Sequence, residues 1–321
     1  SLCELKIVQS THGVITNVRP DHLDVMGPTT TDVAKALSGT APRGGKLFTA
    51  ERRYRPILES AAADRQSTFI GLDADAIRGI SAAGLALVAE DEIYGAGVGG
   101  LALVSEGGIT GAHRGGLAVV SQGEVTGINA GGLALVSQGT IRGVGIGGLS
   151  VVAQSDIDGV VVGGLATVAT GDIQGGAAGG LAVVTQGELR GIAAGGLAVV
   201  AQRDIKGIGL GGLAVVSGGN LTGAALAGLT VEAENVLTGF ASGAYKVKAY
   251  ELNGAAIAAA WNDLPRLNGF ALSTYNRIGF QSGISIGIYN SAEVLDGIQI
   301  GLLNRADNAR FRYLPFVNAA F

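Results

Sequence analysis

Residues 195–210 read GGLAVVAQRDIKGIGL, and this sixteen-residue pattern decides the fold. An apolar residue follows each leucine of the pattern by eight positions, from Ile93 to Leu237, and a glycine stands two positions further on, from Gly95 to Gly239. Self-similarity at one fixed period is the signature of stacked repeats. The leucines that mark the period are Leu85, Leu101, Leu117, Leu133, Leu149, Leu165, Leu181, Leu197, Leu213 and Leu229.

Each repeat contains two short β-branched runs that are separated by glycine-rich corners. The runs are too short and too interrupted by glycine for helices, so each repeat predicts two strands. In the second run an apolar residue stands between polar neighbours, as in Asp204-Ile205-Lys206. That alternation is typical of a strand with one buried face and one wet face. We therefore expect a β-solenoid or a related stack of hairpins.

The period changes after about residue 245, where asparagines recur every fourteen residues. If the coils stack, these side chains form a ladder in which each amide donates to the next. The alternative is that asparagine occupies a turn position with positive φ. Residues 310–321 leave the pattern and are expected to cap the open end of the stack. The asparagines in question are Asn262, Asn276, Asn290 and Asn304.

The first quarter of the chain lacks this period and alternates strands with helices. Strands are predicted at 13–17, 46–49 and 67–72, and helices at 29–37 and 51–63, the first capped by Thr30 or Thr31. Ile77 and Gly79 fit the sixteen-residue phase, which can arise by chance. The predicted fold class is mainly β, with an α/β segment at 1–82, sixteen-residue repeats at 83–244, and fourteen-residue repeats with a cap at 245–321.

Composition excludes several classes of protein. A hydrophobic share of 47% with 15% charged residues is incompatible with intrinsic disorder. The net charge of −4 provides no basic surface for phosphates, so nucleic acid is not expected as a partner. The single cysteine cannot form an intrachain disulfide, and it leaves the redox compartment undecided.

One dense polar segment follows the first predicted strand, where open α/β sheets place their ligands. It runs from 16 to 24 and reads TNVRPDHLD. Asp21, His22 and Asp24 could offer carboxylate oxygens and an imidazole to Mg²⁺ or to a phosphate-bearing intermediate. The alternative is structural, with Asp21 capping the N-terminus of a helix.

Residues 10–28, 32–37 and 46–51 closely resemble the Mur-ligase-like poly-γ-glutamate synthase of capsule biosynthesis. The likeness extends from about Cys3 to Ala82. It implies an ATP-dependent amide ligase, in which a γ-carboxyl is phosphorylated and then attacked by the amine of glutamate. The resemblance places Asn17 and Asp21 at the nucleotide and His22 at Mg²⁺. ATP and Mg²⁺ are implied by this resemblance alone.

The chain also departs from that family. No Gly-Lys-Ser/Thr phosphate loop occurs in it. The family's nucleotide-binding half with its metal-binding Glu is absent, and a repeat replaces the family's later sequence. Without a phosphate cradle, stabilisation of phosphoryl transfer is lost. We therefore expect the chain by itself to be inactive, which leaves its status as an enzyme undecided.

Other motifs are interpreted as parts of the repeat. Two G-x-G-x-x-G matches, at 143–148 and 207–212, fall at one phase of the period with no helix after them. Residues 207–231 carry no charge and could suggest a membrane helix, but their glycines keep the repeat register. His113 is expected at a solvent-exposed corner.

The repeats loosely resemble bacterial glycine-rich surface-repeat proteins, at 287–293 and 297–304. Two functions remain open. One is a partial poly-γ-glutamate ligase fused to a β-repeat scaffold, and the other is a non-catalytic envelope β-solenoid. Expected partners are the remaining ligase core, the polymer machinery or envelope components, with self-association through the solenoid edges. The expected location is bacterial, in the cytoplasm or at the membrane or envelope, because neither a signal peptide nor a clear membrane helix is visible.

Overall fold

The computed structural model describes residues 10–15, 18–20, 23–49, 51, 53–71 and 76–321. The chain forms two compact units, Ser1–Ala76 and Ile77–Phe321. The first is a small α/β unit, and the second is a parallel β-solenoid.

The first unit is built on a three-stranded parallel sheet in the order β1-β2-β3. Leu47 on the middle strand and Leu58 and Ala62 on a helix are fully buried, so sheet and helix share one core. The elements are β1 His12–Ile15, α1 Leu23–Met26, α2 Thr30–Ser38, β2 Lys46–Thr49, α3 Arg55–Asp64 and β3 Thr68–Gly71.

Both long helices of this unit begin at positions that differ from the predicted ones. Helix α2 is capped by Thr29, not by Thr30 or Thr31. The Asp32 carboxylate accepts the Thr29 amide at 3.1 Å, which completes a capping box. Helix α3 begins at Arg55, four residues later than predicted. Arg53 and Tyr54 instead lie in a turn, and the Glu51 carboxylate accepts both of their backbone amides.

The second unit alternates longer and shorter strands, and each pair forms one coil. The longer strands are β4 Ala76–Ala83, β6 Glu92–Gly99, β8 Ile109–Gly115, β10 Val125–Gly131, β12 Ile141–Gly147, β14 Ile157–Gly163, β16 Ile173–Gly179, β18 Leu189–Gly195, β20 Ile205–Gly211, β22 Leu221–Ala227, β24 Val236–Gly243 and β26 Glu251–Ala258. The shorter strands are β5 Ala86–Ala89, β7 Ala102–Ser105, β9 Ala118–Ser121, β11 Ala134–Ser137, β13 Ser150–Ala153, β15 Ala166–Ala169, β17 Ala182–Thr185, β19 Ala198–Ala201, β21 Ala214–Ser217, β23 Thr230–Ala233 and β25 Lys246–Lys248.

Equivalent strands of successive coils pair in parallel with a shift of one repeat. Ile157 lies beside Ile173 in the longer strands, and Val151 lies beside Thr167 in the shorter ones. One sixteen-residue period is therefore one coil, which confirms the predicted β-solenoid.

Alternate residues point into the stack and fill its core. Ile157, Val151 and Val161 are at most 1% exposed, whereas Asp158 between two of the inward positions is exposed. The buried hydroxyls are satisfied by the backbone, since Ser121 Oγ donates to the carbonyl of Gly107 at 2.7 Å. The core is thus packed and leaves these hydroxyls paired.

A column of glycines with positive φ bends the longer strands, and Gly191 is a typical member with φ of 126°. A Cβ at this position would lie 2.1 Å from the carbonyl oxygen of Gly175 in the preceding coil. Gly79 has φ of 90° and lies in the same column, directly below Gly95. Its match to the repeat phase is therefore not a coincidence, and the first coil begins before residue 83.

The change of period is gradual. Leu237 pairs with Leu252 and Leu252 with Leu267, so two coils have fifteen residues before the next has fourteen. From Leu267 to Gln281 the shift is fourteen. The sequence prediction went directly from sixteen to fourteen and missed this intermediate step, because the substituted corner residues carry no motif. This region contains β27 Trp261–Leu272, β28 Tyr275–Ala306 and β29 Tyr313–Ala320.

The predicted asparagine ladder is present and fully buried. The Nδ2 of Asn262 donates to Oδ1 of Asn276 at 2.9 Å, and the next two steps, to Asn290 and Asn304, are 2.7 Å each. The turn alternative is wrong, because among the described residues only Gln66 and Phe316 combine a side chain with positive φ.

The last strand reverses direction. β29 pairs antiparallel with the end of β28, from Gly297 opposite Ala320 to Arg305 opposite Tyr313. This pairing covers the strand edge of the final coil, which would otherwise expose unpaired backbone groups.

The glycine motifs and the uncharged stretch that the sequence analysis assigned to the repeat lie in the strands and corners of the solenoid. Residues 207–231 run through β20 to β23, and β13 follows the glycines of 143–148. None of the helices in the described ranges combines the length and hydropathy needed to cross a bilayer.

Candidate functional site

The segment predicted to carry the site follows β1 in the sequence, and β1 ends at Ile15. Asn17, Asp21 and His22 lie outside the described residues, so their roles stay predictions. The helix-capping alternative for Asp21 is likewise untested, although α1 begins nearby at Leu23. The described residues around this segment nevertheless show how it is anchored.

Two side chains, one at the end of β2 and one just after it, hold the end of β1. The hydroxyl of Thr49 donates to the carbonyl of Ile15 at 2.6 Å, and the amide of Glu51 donates to Thr49 Oγ1 at 3.0 Å. The Glu51 carboxylate then accepts the amide of Val18 at 2.6 Å. Ile15 and Val18, the residues on either side of Thr16 and Asn17, are thereby held in place.

Glu51 also organises the start of the next helix. Its Oε1 accepts the amides of Arg53 at 2.9 Å and Tyr54 at 3.3 Å, while its Oε2 is held by Val18. Both carboxylate oxygens are therefore engaged by the backbone. The resemblance included Glu51 but assigned it no role, although an acidic residue directly after a strand was a usable signal.

Replacing Glu51 by alanine should loosen the polar segment. The amide of Val18 would lose a charge-assisted hydrogen bond that contributes about 1.5–3 kcal/mol. We expect hydrogen exchange at Val18 to accelerate by roughly tenfold to a hundredfold. The exposed Glu59 on α3 is the matched control, and Glu59→Ala should leave that amide unchanged. Equal protection in Glu51→Ala and the wild type would contradict the anchoring role.

The described ranges contain no group of three or more His, Cys, Asp or Glu side chains that could hold a metal ion. This statement does not extend to residues 21 and 22, which the structure leaves undescribed.

A second polar cluster lies at one corner of the solenoid, where successive coils place acidic residues above one another. The carboxylate of Asp156 accepts the amide of Asp172 at 2.7 Å, and that of Asp172 accepts the amide of Glu188 at 2.7 Å. Asp156 and Asp172 therefore each bind the backbone of the next coil. The sixteen-residue spacing of acidic residues was the signal, but the sequence analysis did not use it.

Glu188 is the most buried member of this corner, at 8% exposure. Its carboxylate contacts Arg190 at 2.6 Å and Lys206 at 2.5 Å. The hydrogen bond from Arg190 is the main cause that lowers the pKa of Glu188 to about 2, and the bond from Lys206 adds to it. Two cations thus compensate the stacked acidic charges.

The lowered pKa predicts a pH dependence of stability. The pKa of Glu188 is lower in the folded chain than in the unfolded chain. Its contribution to the free energy of unfolding is therefore complete above pH 4.5 and is lost as the pH falls from 4.5 towards 2. At pH 7, Glu188→Gln should lower the free energy of unfolding by about 2–3 kcal/mol. Near pH 2 the two proteins should converge. Urea titrations across this range measure the difference.

Glu124→Gln is the control for this prediction. Glu124 pairs with Arg142 at 2.7 Å, but its side chain is 40% exposed, so the loss should stay below about 1 kcal/mol. A Glu188→Gln variant whose deficit does not change between pH 7 and pH 2 would argue against the ionised pair.

His113 is not at a solvent-exposed corner, which corrects the sequence expectation. It points into the core at 4% exposure, in the column that Ala177 and Ala193 occupy in other coils. Its Nδ1 lies 3.2 Å from Oδ1 of Asn129, and burial lowers its pKa. The missing side chain of Gly97 in the preceding coil makes room for the ring.

The chain is similar to two curated bacterial proteins. It is 43% identical over 68 residues to the capsule biosynthesis protein CapB of Bacillus anthracis, covering 21% of this chain and 15% of that protein. It is 37% identical over 68 residues to the PGA synthase CapB of Bacillus subtilis (strain 168), covering 21% and 17% respectively. No family model and no solved structure matches the chain.

The similarity has a limited extent. The chain spans about one sixth of the length of these relatives, and the matching region is N-terminal. The N-terminal region of this chain is therefore similar to the poly-γ-glutamate synthase CapB, as its polar segment indicated, and the remainder is a β-solenoid.

Proposed function

We propose that this chain acts in poly-γ-glutamate capsule synthesis as a repeat scaffold that carries part of a ligase-type nucleotide site. The observation that supports the capsule link is the 37–43% identity to CapB over 68 residues. In the proposed site, Asn17 and Asp21 contact the nucleotide of ATP and His22 helps to hold Mg²⁺. A separate ligase core with a Gly-Lys-Ser/Thr loop supplies the phosphate cradle.

The described surroundings fit a supporting role for Glu51 and not a metal-binding one. Its two carboxylate oxygens are occupied by the amides of Val18, Arg53 and Tyr54. In this proposal, a carboxylate with these partners orients the loop and leaves the metal to His22.

The scaffold role is supported by the composition of the solenoid. Its interior is mainly aliphatic, and its buried hydroxyls are paired to the backbone, as at Ser137, whose Oγ donates to the Gly123 carbonyl at 2.8 Å. Such side chains stabilise the stack. A catalytic nucleophile instead needs a basic side chain within hydrogen-bond reach.

Calorimetric titration with ATP and Mg²⁺ tests the nucleotide site, with His22→Ala as the variant and His12→Ala as the control. We expect weak binding that only His22→Ala abolishes, and no ATP-dependent ligation of glutamate by the chain alone. Ligation by the isolated chain would refute the scaffold assignment. No binding in any variant would refute the nucleotide site.

The capsule link has its own test. Purified CapB of B. subtilis should form a complex with the full chain, and Glu51→Ala should weaken that complex. If CapB neither binds the chain nor changes its rate of glutamate incorporation, the alternative is favoured. That alternative is a non-catalytic β-solenoid of the bacterial envelope, and the exposed leucines of the repeats, such as Leu197 and Leu213 at 45% each, support it.

A further inference from the structure

The two ring nitrogens of His113 have different surroundings inside the solenoid. His113 is the only histidine between residues 77 and 321, and its Nδ1 lies 3.2 Å from Oδ1 of Asn129. Asn129 Nδ2 donates to the Thr126 carbonyl at 3.3 Å, which turns Oδ1 towards the ring, so we assign the ring proton to Nδ1. The other nitrogen, Nε2, is buried and has no hydrogen-bond partner among the residues that the structure describes.

Glycines in the two flanking coils provide the space that this pair of side chains fills. Gly97 lies one coil before His113 in the same inward column, and Gly145 lies one coil after Asn129. A Cβ on Gly97 would lie 2.8 Å from His113 Cδ2, and a Cβ on Gly145 would lie 2.8 Å from Leu135 Cδ2. Since not even a methyl group fits at these positions, they leave no space for water around a charged ring.

The strands around His113 supply no opposite charge. The strands packed against β8 are β6, β7, β9 and β10, and of these β7, β9 and β10 contain no titratable residue. The titratable groups on the other two are Glu92 and Tyr94 of β6 and Arg114 of β8. Tyr94 and Arg114 are exposed, and Glu92 accepts the Tyr94 hydroxyl, so all three lie on the outer surface.

We propose that His113 and Asn129 form an acid-sensitive latch, which keeps the coils from β6 to β10 closed at neutral pH and opens them when the ring is protonated. In an opened coil Nε2 takes a proton from water. The imidazolium then opposes closure, because the closed coil would bury a positive charge and an unpaired N–H. Opening can stay local because each coil contacts only its neighbours. The latch does not depend on the proposed ligase-type site.

The pH window of the latch follows from the direction of the pKa shift. Burial lowers the pKa of His113 below its ordinary value of 6.5, which applies to the opened coil. The contribution of the neutral ring to stability is therefore complete above pH 6.5 and is lost as the pH falls below that value. This window lies above the range from 4.5 to 2 in which Glu188 acts, so the two effects can be separated.

Hydrogen exchange of the full chain at pH 7 and pH 5 tests the latch, with each amide rate divided by the rate of an unfolded chain at the same pH. We expect this protection to fall about 5- to 25-fold in β8 and β10 between the two pH values. Strands β18 and β20 contain no histidine and should keep their protection. An NMR titration should give His113 a pKa below 6.5.

His113→Asn is the main variant, because it removes the titration and keeps an amide that can bond to Asn129. The structure contains such a pair between coils, in which Asn262 donates to Asn276 at 2.9 Å. In this variant the protection of β8 and β10 should be the same at pH 7 and pH 5. The exposed His12 provides the control, and His12→Ala should keep the pH dependence of the wild type.

A second variant keeps the test decisive if His113→Asn does not fold. His113→Ala combined with Asn129→Ala recreates the alanine pair that Ala177 and Ala193 form in the same column, and it should also lose the pH dependence. Equal protection of the wild type at pH 7 and pH 5 would overturn the latch. So would a fall of the same size in the wild type and in the folded variant that lacks His113.

Discussion

An alanine at Gly191 is expected to destabilise the solenoid by on the order of 3–5 kcal/mol. The φ of 126° is a conformation that residues with a side chain rarely adopt, and the new Cβ would lie 2.1 Å from the carbonyl oxygen of Gly175. The backbone of the neighbouring coil would have to move. Because each coil pairs with the next, the strain would spread to the parallel strands on both sides.

Gly176 is a matched control one coil earlier, immediately after the positive-φ glycine of that coil. A Cβ there would only touch Val160, at 3.6 Å, and no positive φ is imposed. Gly176→Ala should be neutral or should stabilise by about 0.5–1 kcal/mol, because alanine restricts the unfolded chain. Urea titrations of the two variants measure the contrast. Similar losses at both sites would mean that the corner geometry is not as described.

The second large effect is expected at the asparagine ladder, where Asn276→Ala should cost about 3–5 kcal/mol. The variant removes the bond accepted from Asn262 at 2.9 Å and the bonds donated to Asn290 at 2.7 Å and to the Ile286 carbonyl at 2.9 Å. All three partners lie where water cannot replace the lost amide. The buried groups would remain unpaired.

Asn268 makes the corresponding control, because it also bonds to an asparagine of the neighbouring coil. Its Nδ2 donates to Asn253 Oδ1 at 2.9 Å, but its side chain is exposed. Asn268→Ala should therefore cost less than about 1 kcal/mol, since water replaces the partner. Thermal unfolding monitored by circular dichroism compares the two variants. A loss at Asn276 no larger than that at Asn268 would rule out a stabilising ladder.

Periodicity predicted the solenoid well because the repeat makes each coil meet a copy of itself. The sixteen-residue spacing of Leu165 and Leu181 predicted stacked coils. The asparagine spacing left a ladder and a turn open, and the structure shows the ladder. The small unit was less predictable, since its helix starts depend on single bonds. Thr29 caps α2, and Glu51 shifts the start of α3 to a later residue. Both effects come from single contacts that a repeat period cannot predict.

The sequence by itself determined the sixteen-residue coils and the similarity of the first unit to CapB, because repeat spacing and sequence identity carry this information. Only the tertiary structure decided the side-chain environments. It placed His113 in the core instead of in solvent and gave Glu188 its two cationic partners. These outcomes depend on which neighbour lies one coil away and on how much space that neighbour leaves. Gly97, in the coil before His113, leaves this space for the imidazole ring. The spacing of residues along the sequence does not by itself predict that space.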